Sequence, residues 1–387
     1  MENQVNRRDF LKLSAAAGVG FVLGEQTTKG SNSCKKETLP RRTLGKTGIQ
    51  LPVLSMGVSS NHLPVVRAAY NSGVIHFDTA NGYQNGKTEE MLGDFFAGKD
   101  RDSFVLATKI YEKTPGDLSQ RFAEKFETSL KRLRTDYIDI LYYHDVSTTD
   151  EVNCQPVLDV MLKLKKEGRV KHIGISTHSN EPEVIHTMVD NGNYDVVLTA
   201  YNFNQQHHDP LNAAIKRAVE SGMGVIGMKA MMGGYMDKER TQKVNAKAAL
   251  KWVLQNPGIH TVLAGYTSFE ELEECLEAVS DLKLTEKESE FLTSVNKHTL
   301  LYCQGCRKCV PQCPQKLPVP DMMRAYMYYY GYNDPAMTRD IISAFPLSQN
   351  PCSSCVQCNI RCSAGFFVKE KINDMMRIRK TPDKFMI

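Results

Sequence analysis

Four side chains suited to proton transfer sit at the ends of short apolar runs. Asp78 and Tyr83 close the stretch Val74-Ile75-His76-Phe77-Asp78-Thr79-Ala80-Asn81-Gly82-Tyr83, Lys109 closes Leu106-Ala107-Thr108-Lys109, and His144 closes Leu141-Tyr142-Tyr143-His144. Runs of this kind, rich in β-branched and aromatic residues, read as buried strands. A lysine at a buried strand end is costly unless paired, and Asp78 is the available partner. The ammonium would favour the tyrosinate form of Tyr83 and lower its pKa. Such a tyrosine can hand a proton to a carbonyl oxygen as hydride arrives at the carbon, with His144 orienting or polarising that carbonyl.

A second pattern is made of cysteines. The chain has 11, and eight of them fall in two short C-terminal runs. Cys303, Cys306, Cys309 and Cys313-Pro314 spell C-x2-C-x2-C-x3-C-P, and Cys352, Cys355, Cys358 and Cys362 repeat the spacing with Ser363 in place of the proline. This spacing predicts metal rather than a disulfide framework. In two-cluster arrangements the fourth cysteine of each run serves the other cluster. The expectation is therefore two [4Fe–4S] clusters, one on Cys303, Cys306, Cys309 and Cys362, the other on Cys352, Cys355, Cys358 and Cys313. Zinc is the competing metal, although it more often uses two separated pairs. The intervening segment from Val319 to Phe345 is Met- and Tyr-rich and predicted to be helical, its aromatics packing around the clusters.

The elements that must position these groups follow from periodicity. Strands are predicted at Val53–Val58, Val74–Thr79, Phe104–Ile110, Tyr137–His144, Val170–Thr177, Val196–Tyr201, Gly224–Ala230 and Thr261–Tyr266. Helical spacing lies between them, clearest from Leu118 to Leu133, where Phe122, Phe126, Ser129, Leu130 and Leu133 share a face. Val157–Lys165 and Ala246–Leu254 behave alike. Eight strand–helix units over roughly 250 residues match a (β/α)8 TIM barrel, whose catalytic groups sit at the carboxyl ends of the strands. No GxGxxG follows the first strand, which argues against a doubly wound sheet. The predicted organisation is a signal and linker at 1–38, the barrel at 40–297, and a mainly helical, ferredoxin-like iron–sulfur domain at 298–387.

The segments Arg41-Arg42-Thr43-Leu44-Gly45-Lys46-Thr47-Gly48, Phe77-Asp78-Thr79-Ala80-Asn81-Gly82-Tyr83, Thr108-Lys109 and Tyr143-His144 resemble the aldo-keto reductases over residues 40 to 297. The resemblance is to the subgroup carrying a C-terminal two-cluster domain and a twin-arginine signal. It implies NAD(P)-dependent interconversion of a carbonyl and an alcohol on a small organic substrate. Tyr83 would be the general acid, Lys109 and Asp78 its tuning pair, and His144 the substrate-positioning group. It also places Ser176 at the nicotinamide amide, with Thr177 standing where the family has asparagine and Leu198 where it has glutamine. The turn Gly265-Tyr266-Thr267-Ser268 would meet phosphate at a helix start. Glu271 stands where arginine usually pairs with a 2′-phosphate, and Cys275 where an asparagine holds adenine. A carboxylate there favours NAD over NADP. Lys229, in Gly227-Met228-Lys229-Ala230, either supplies charge to a pyrophosphate or is an ordinary barrel-rim lysine.

Composition sets the outer bounds. Hydrophobic residues at 41% and charged residues at 24% are ordinary for a soluble globular chain. A net charge of +4 without basic clustering gives no reason to expect nucleic acid. Asn6-Arg7-Arg8-Asp9-Phe10-Leu11-Lys12, with the Ala/Gly-rich run to Gly24, resembles a twin-arginine export signal and predicts a periplasmic protein. That run is too short and Gly-rich to span a bilayer. The leading expectation is a barrel oxidoreductase exchanging electrons with an external redox carrier through its clusters. The alternative is an exported iron–sulfur electron-transfer or interaction protein whose barrel does not use free NAD(P)H.

Overall fold

The computed structural model describes residues 39–295, 301–343, 345 and 350–380, and residues 39–387 form one compact unit. An antiparallel hairpin comes first, β1 (Arg41–Thr43) with β2 (Gln50–Pro52). Eight strands follow: β3 (Leu54–Gly57), β4 (His76–Asp78), β5 (Val105–Ile110), β6 (Ile138–Tyr143), β7 (Val170–Thr177), β8 (Val196–Ala200), β9 (Gly224–Met228) and β10 (Thr261–Ala264). They run parallel in sequence order and close through β10 and β3 into a barrel. Each predicted strand is present within two residues of its expected ends. The hairpin was not anticipated. It carries Leu44 and Leu51, fully buried, against the interior residues Ala107, Ile140, Val196 and Ile226, and so plugs the barrel beneath the site.

The barrel helices are α1 (Leu63–Asn71), α2 (Lys87–Phe96), α3 (Leu118–Leu133), α4 (Thr149–Val152), α5 (Gln155–Lys166), α6 (Glu181–Asn191), α7 (His208–Glu220), α8 (Ala246–Gln255), α9 (Phe269–Ser280) and α10 (Glu286–Val295). Helix α3 shows why sequence and structure agree. Asp117 caps its start by accepting from the Gln120 amide at 3.0 Å, and Arg134 ends it in the left-handed region. Its buried residues are Phe122, Phe126, Ser129, Leu130 and Leu133, the face the periodicity predicted. The polar exception, Ser129, accepts a 3.0 Å bond from the Asn81 side chain on the loop that carries Tyr83.

The C-terminal segment is not an independent appendage. Its helices α11 (Val319–Tyr330), α12 (Pro335–Ser343) and α13 (Val368–Lys380) share a small core of Tyr302, Ala325, Tyr326, Ile342 and Met375. The expected helix from Val319 to Phe345 is broken at Gly331–Asp334 into α11 and α12. Several bonds tie the segment to the barrel rim: Asn180 amide to Gly305 carbonyl at 3.0 Å, Arg307 to Ser147 Oγ at 3.0 Å, and Lys238 to Asp374 at 2.8 Å. Two glycines mark one close crossing. A Cβ on Gly331 would lie 2.6 Å from the Gly233 carbonyl oxygen, and one on Gly233, whose φ is +108°, would lie 2.9 Å from the Tyr302 ring. Among the described residues no helix is long and apolar enough to cross a membrane.

The cysteine runs bring the main correction. Among the described residues no group of three or more His, Cys, Asp or Glu side chains is arranged to hold a metal ion. The two [4Fe–4S] clusters on Cys303, Cys306, Cys309, Cys362 and Cys352, Cys355, Cys358, Cys313 are therefore withdrawn. The ferredoxin-like domain, the iron–sulfur coupling and the electron-transfer alternative go with them. Spacing brings cysteines into one region but does not aim their sulfurs at one point. Cys313 and Cys352 instead pack as small buried side chains with Leu317, Met322, Met323 and Met376. The runs do interleave: Cys303 feels Cys306, Cys309 and Cys362, while Cys352 feels Cys313, Cys355 and Cys358. Burial first, then mutual repulsion of the ionised forms, pushes Cys309 and Cys352 up to about 11. The twin-arginine motif, in residues 1–38, lies outside the described residues. No comparison supports such a signal, and that reading is withdrawn too.

Candidate active site

The carboxyl ends of β4, β5 and β6 converge at one mouth of the barrel. Asp78 ends β4, Lys109 is the penultimate residue of β5, and His144 follows β6. The Lys109 amine donates to Asp78 Oδ1 and, at 2.8 Å, to the Thr79 carbonyl. Both side chains are almost wholly buried. Burial pushes the carboxyl up and the amine down, each shift opposed by the attraction of the other. Lys109 Nζ lies 5.4 Å from the centre of the Tyr83 ring, and that ring meets the His144 ring edge-on at 5.9 Å.

The loop bearing Tyr83 is locally unfavourable and held by a buried network. Gln84 and Asn85 both adopt left-handed backbone, and Gly86 continues it at φ +91°. Glycine suits that φ, and a Cβ there would lie 2.1 Å from the Arg132 guanidinium carbon, so Arg132 would have to move. Arg132 donates to the Asn81 carbonyl at 3.0 Å and pairs with fully buried Glu89 at 3.4 Å, while Thr108 donates to Glu89 at 2.7 Å. The phenol is thus fixed by groups reaching from β5 and α3, which offsets the strain of its turn.

The electrostatics of Tyr83 differ from expectation. Burial raises its pKa rather than lowering it, and Asp78 adds to the rise, with Arg324 opposing. The positive charge of Lys109 is already committed to Asp78, so desolvation dominates. Tyr83 is therefore a neutral phenol at working pH. His144 is held neutral as well, pushed down to about 3 by burial and by Lys109.

Two hollows meet at this wall. The larger, about 510 Å³, contains Asp78, Tyr83 and Lys109 and extends past Lys229 to Gly265, Thr267 and Glu271. The smaller, about 230 Å³, contains Tyr83, His144, Tyr111 and Arg324. Tyr83, His178 and Tyr328 line both. The volume of the larger one suits a cofactor-sized ligand.

The nucleotide-side expectations fare unevenly. Lys229 does face the larger hollow, half-buried, 3.4 Å from the Tyr328 hydroxyl, and burial pulls it down to about 7. Ser176 does not face it. Its fully buried Oγ accepts from the Asp145 amide at 3.1 Å, and the Thr177 hydroxyl donates to the Ser179 carbonyl at 3.0 Å. Leu198 sits in the apolar barrel interior. At the far end, Thr267 donates from its amide at 2.8 Å and its hydroxyl at 3.2 Å to Glu271 Oε2, and Ser268 caps α9. A carboxylate of the chain itself thus holds the donors expected for phosphate or ribose. Gly265 remains as plain lining. The residues fit a nicotinamide dinucleotide in volume and in the cation Lys229, while its usual amide and phosphate donors are engaged internally.

Three site residues were missed by sequence reasoning. His178, just past β7, stacks edge-on with His144 at 6.1 Å and keeps a buried Nδ1 without a partner among the described residues. Its position one residue after the Ser-Thr pair was the available signal. Arg324 and Tyr328 come from α11, in the run read as packing, and no local pattern marks them.

The Aldo/keto reductase family model matches residues 58–248, a span that includes Asp78, Tyr83, Lys109 and His144 and ends before the cysteine runs. The chain is 27% identical over 300 residues to L-galactose dehydrogenase of Arabidopsis thaliana, covering 66% of this chain and 92% of that one. It is 25% identical over 332 residues to L-glyceraldehyde 3-phosphate reductase of Escherichia coli, covering 66% and 91%. A solved aldo-keto reductase from Bacillus halodurans, in its holo form, shares the fold with a TM-score of 0.55 at 22% identity, covering 67% of this chain and 97% of that one. With a paired lysine, a buried phenol and a neutral imidazole at adjoining strand ends, this chain is an enzyme, an aldo-keto reductase-like oxidoreductase.

Proposed function

We propose that the enzyme reduces the carbonyl group of a small organic molecule to an alcohol, using a nicotinamide dinucleotide bound in the larger hollow. The observation that carries this reading is that Tyr83 forms part of the wall shared by both hollows, with Lys109 behind it and His144 beside it. The bound cofactor would supply hydride to the carbonyl carbon. Tyr83, kept protonated by burial, donates its proton to the carbonyl oxygen. His144, neutral, donates an N–H to the same oxygen and fixes its direction. Lys109 stabilises the phenolate that Tyr83 becomes, while Asp78 keeps the ammonium in place. Burial leaves Tyr83 in the protonation state that reduction starts from, whereas the reverse direction starts from the phenolate. The names of the relatives, an L-galactose dehydrogenase and an L-glyceraldehyde 3-phosphate reductase, make hydroxylated aldehydes and ketones the first compounds to try.

The test is titration of the purified protein with NADH and NADPH, followed by carbonyl-dependent oxidation of whichever binds. Saturable binding and turnover with a hydroxylated carbonyl are expected. No binding of either nucleotide at millimolar concentration would overturn the reading.

A further inference from the structure

His144 is held in an unusual way. No hydrogen bond to its ring is made among the described residues, and its side-chain neighbours are the edges of Tyr83, Tyr111 and His178. Its orientation is therefore set by the backbone at 144 and 145. The His144 amide donates to the Ile110 carbonyl at 2.9 Å, which continues the β5–β6 ladder. Asp145, the next residue, turns into the left-handed region at φ +63°, a conformation that needs support for a residue with a Cβ.

That support comes from three residues. The Asp145 amide donates to Ser176 Oγ at 3.1 Å, and Lys113 donates to the Asp145 carbonyl at 2.6 Å. The carboxylate takes both arms of the Arg324 guanidinium, at 2.6 and 2.7 Å, in the fork geometry that fixes direction as well as distance. Arg324 reaches it from α11, 179 residues further along the chain. The same guanidinium meets Asp321 at 3.1 Å. With both terminal nitrogens engaged, Arg324 is poorly disposed to bind a substrate itself, although it borders the smaller hollow.

We infer that Arg324 is a positioning residue for carbonyl reduction, holding Asp145 so that the His144 ring keeps its place against Tyr83, and that the barrel's active site is complete only with helix α11 in position. The inference rests on the reduction proposed above. Beyond that function, it assigns a role to a segment outside the matched family region. Lys238, which joins the same C-terminal segment to the barrel through Asp374, lines neither hollow and serves as the comparison.

The experiment uses the full chain and four variants: Arg324→Met, Arg324→Lys, Asp145→Asn and the Arg324→Met/Asp145→Asn double. Turnover at saturating carbonyl and the His144 imidazole NMR resonance are the readouts, with Lys238→Met in parallel. Arg324→Met and Asp145→Asn should each lower kcat roughly 100-fold, the order expected for an ångström of misplacement. Each should shift the His144 resonance, with nucleotide affinity retained. Because the two act in series, the double variant should lose little more than either single one. Arg324→Lys should recover part of the loss, and Lys238→Met should stay within about twofold of the parent, the range of an exposed ion pair. Multiplicative losses in the double variant would overturn the inference in favour of a direct contact between Arg324 and substrate. An equal loss in Lys238→Met would overturn it in favour of general loosening of the segment. An unmoved His144 resonance in Arg324→Lys and Asp145→Asn would overturn it even if Arg324→Met failed to fold. If the parent turns over no carbonyl, the functional reading fails, and the resonance alone decides the inference.

Discussion

The two ends of the larger hollow treat their polar groups in opposite ways. At the Tyr83 end, costly groups are buried and two polar atoms, Asp78 Oδ2 and His178 Nδ1, have no partner among the described residues. At the Thr267 end, the donors that a phosphate would want already serve Glu271, while Ser176, outside the hollow, serves the backbone of Asp145. Unmet polar atoms in a closed site are destabilising and persist where a ligand or a reaction uses them. Satisfied ones add rigidity and little affinity. On the proposed function, chemistry is built in tightly at one end, while nucleotide affinity at the other would depend on shape and on few charges, Lys229 first among them.

The sharpest way to break this contrast is to remove the phenol oxygen. Tyr83→Phe should lower kcat by about 10²–10⁴-fold with nucleotide binding unchanged, measured by steady-state kinetics and titration. A small loss would mean that the proton comes from elsewhere. Lys109→Met should leave Asp78 as an uncompensated buried charge and cost about 3–5 kcal/mol of stability, read from urea unfolding. The pH dependence of cofactor binding tests the other end. Lys229 titrates near 7, so its charge is present below that value and is lost as pH rises through it. Nucleotide affinity should therefore weaken by roughly tenfold on the alkaline side, the scale of one charged hydrogen bond, and become flat in Lys229→Met. Glu271→Gln keeps the turn's geometry but removes its charge, and should raise the preference for NADPH over NADH up to about fivefold in paired titrations. Smallest of all, Ser176→Ala should cost about 1 kcal/mol of stability and leave nucleotide affinity almost unchanged. A large rise in the dissociation constant would place Ser176 on the nicotinamide after all and undo the comparison.

The barrel was legible in the sequence because each strand is a short apolar run with a distinctive residue at its end, and helix α3 because its period puts Phe122, Phe126 and Leu130 on one side. Asp78, Lys109 and His144 could be located for the same reason, since a strand end in this fold is a position in space. What escaped was non-local or electrostatic. The β1–β2 hairpin is three polar-flanked residues a side, too brief to show a period. Arg324 meets Asp145 across most of the chain, and nothing near either residue announces the pairing. The pKa of Tyr83 went the other way because sequence shows a neighbouring lysine but not how dry the site is. Cysteine spacing was equally plain to see, yet spacing alone does not give the direction of a sulfur.

The crossing of Gly233 and Gly331 has a consequence for how such a chain can change. A methyl group on Gly331 would meet the Gly233 carbonyl, and one on Gly233 the Tyr302 ring and the Met327 side chain, so the two segments meet like a keyed joint. A foreign barrel joined to this C-terminal segment, or a foreign segment on this barrel, would need the same pair of bare positions at the same height. Recombination in the laboratory should therefore succeed when the break point leaves both glycines in one parent, and otherwise give molecules whose mouths do not shut.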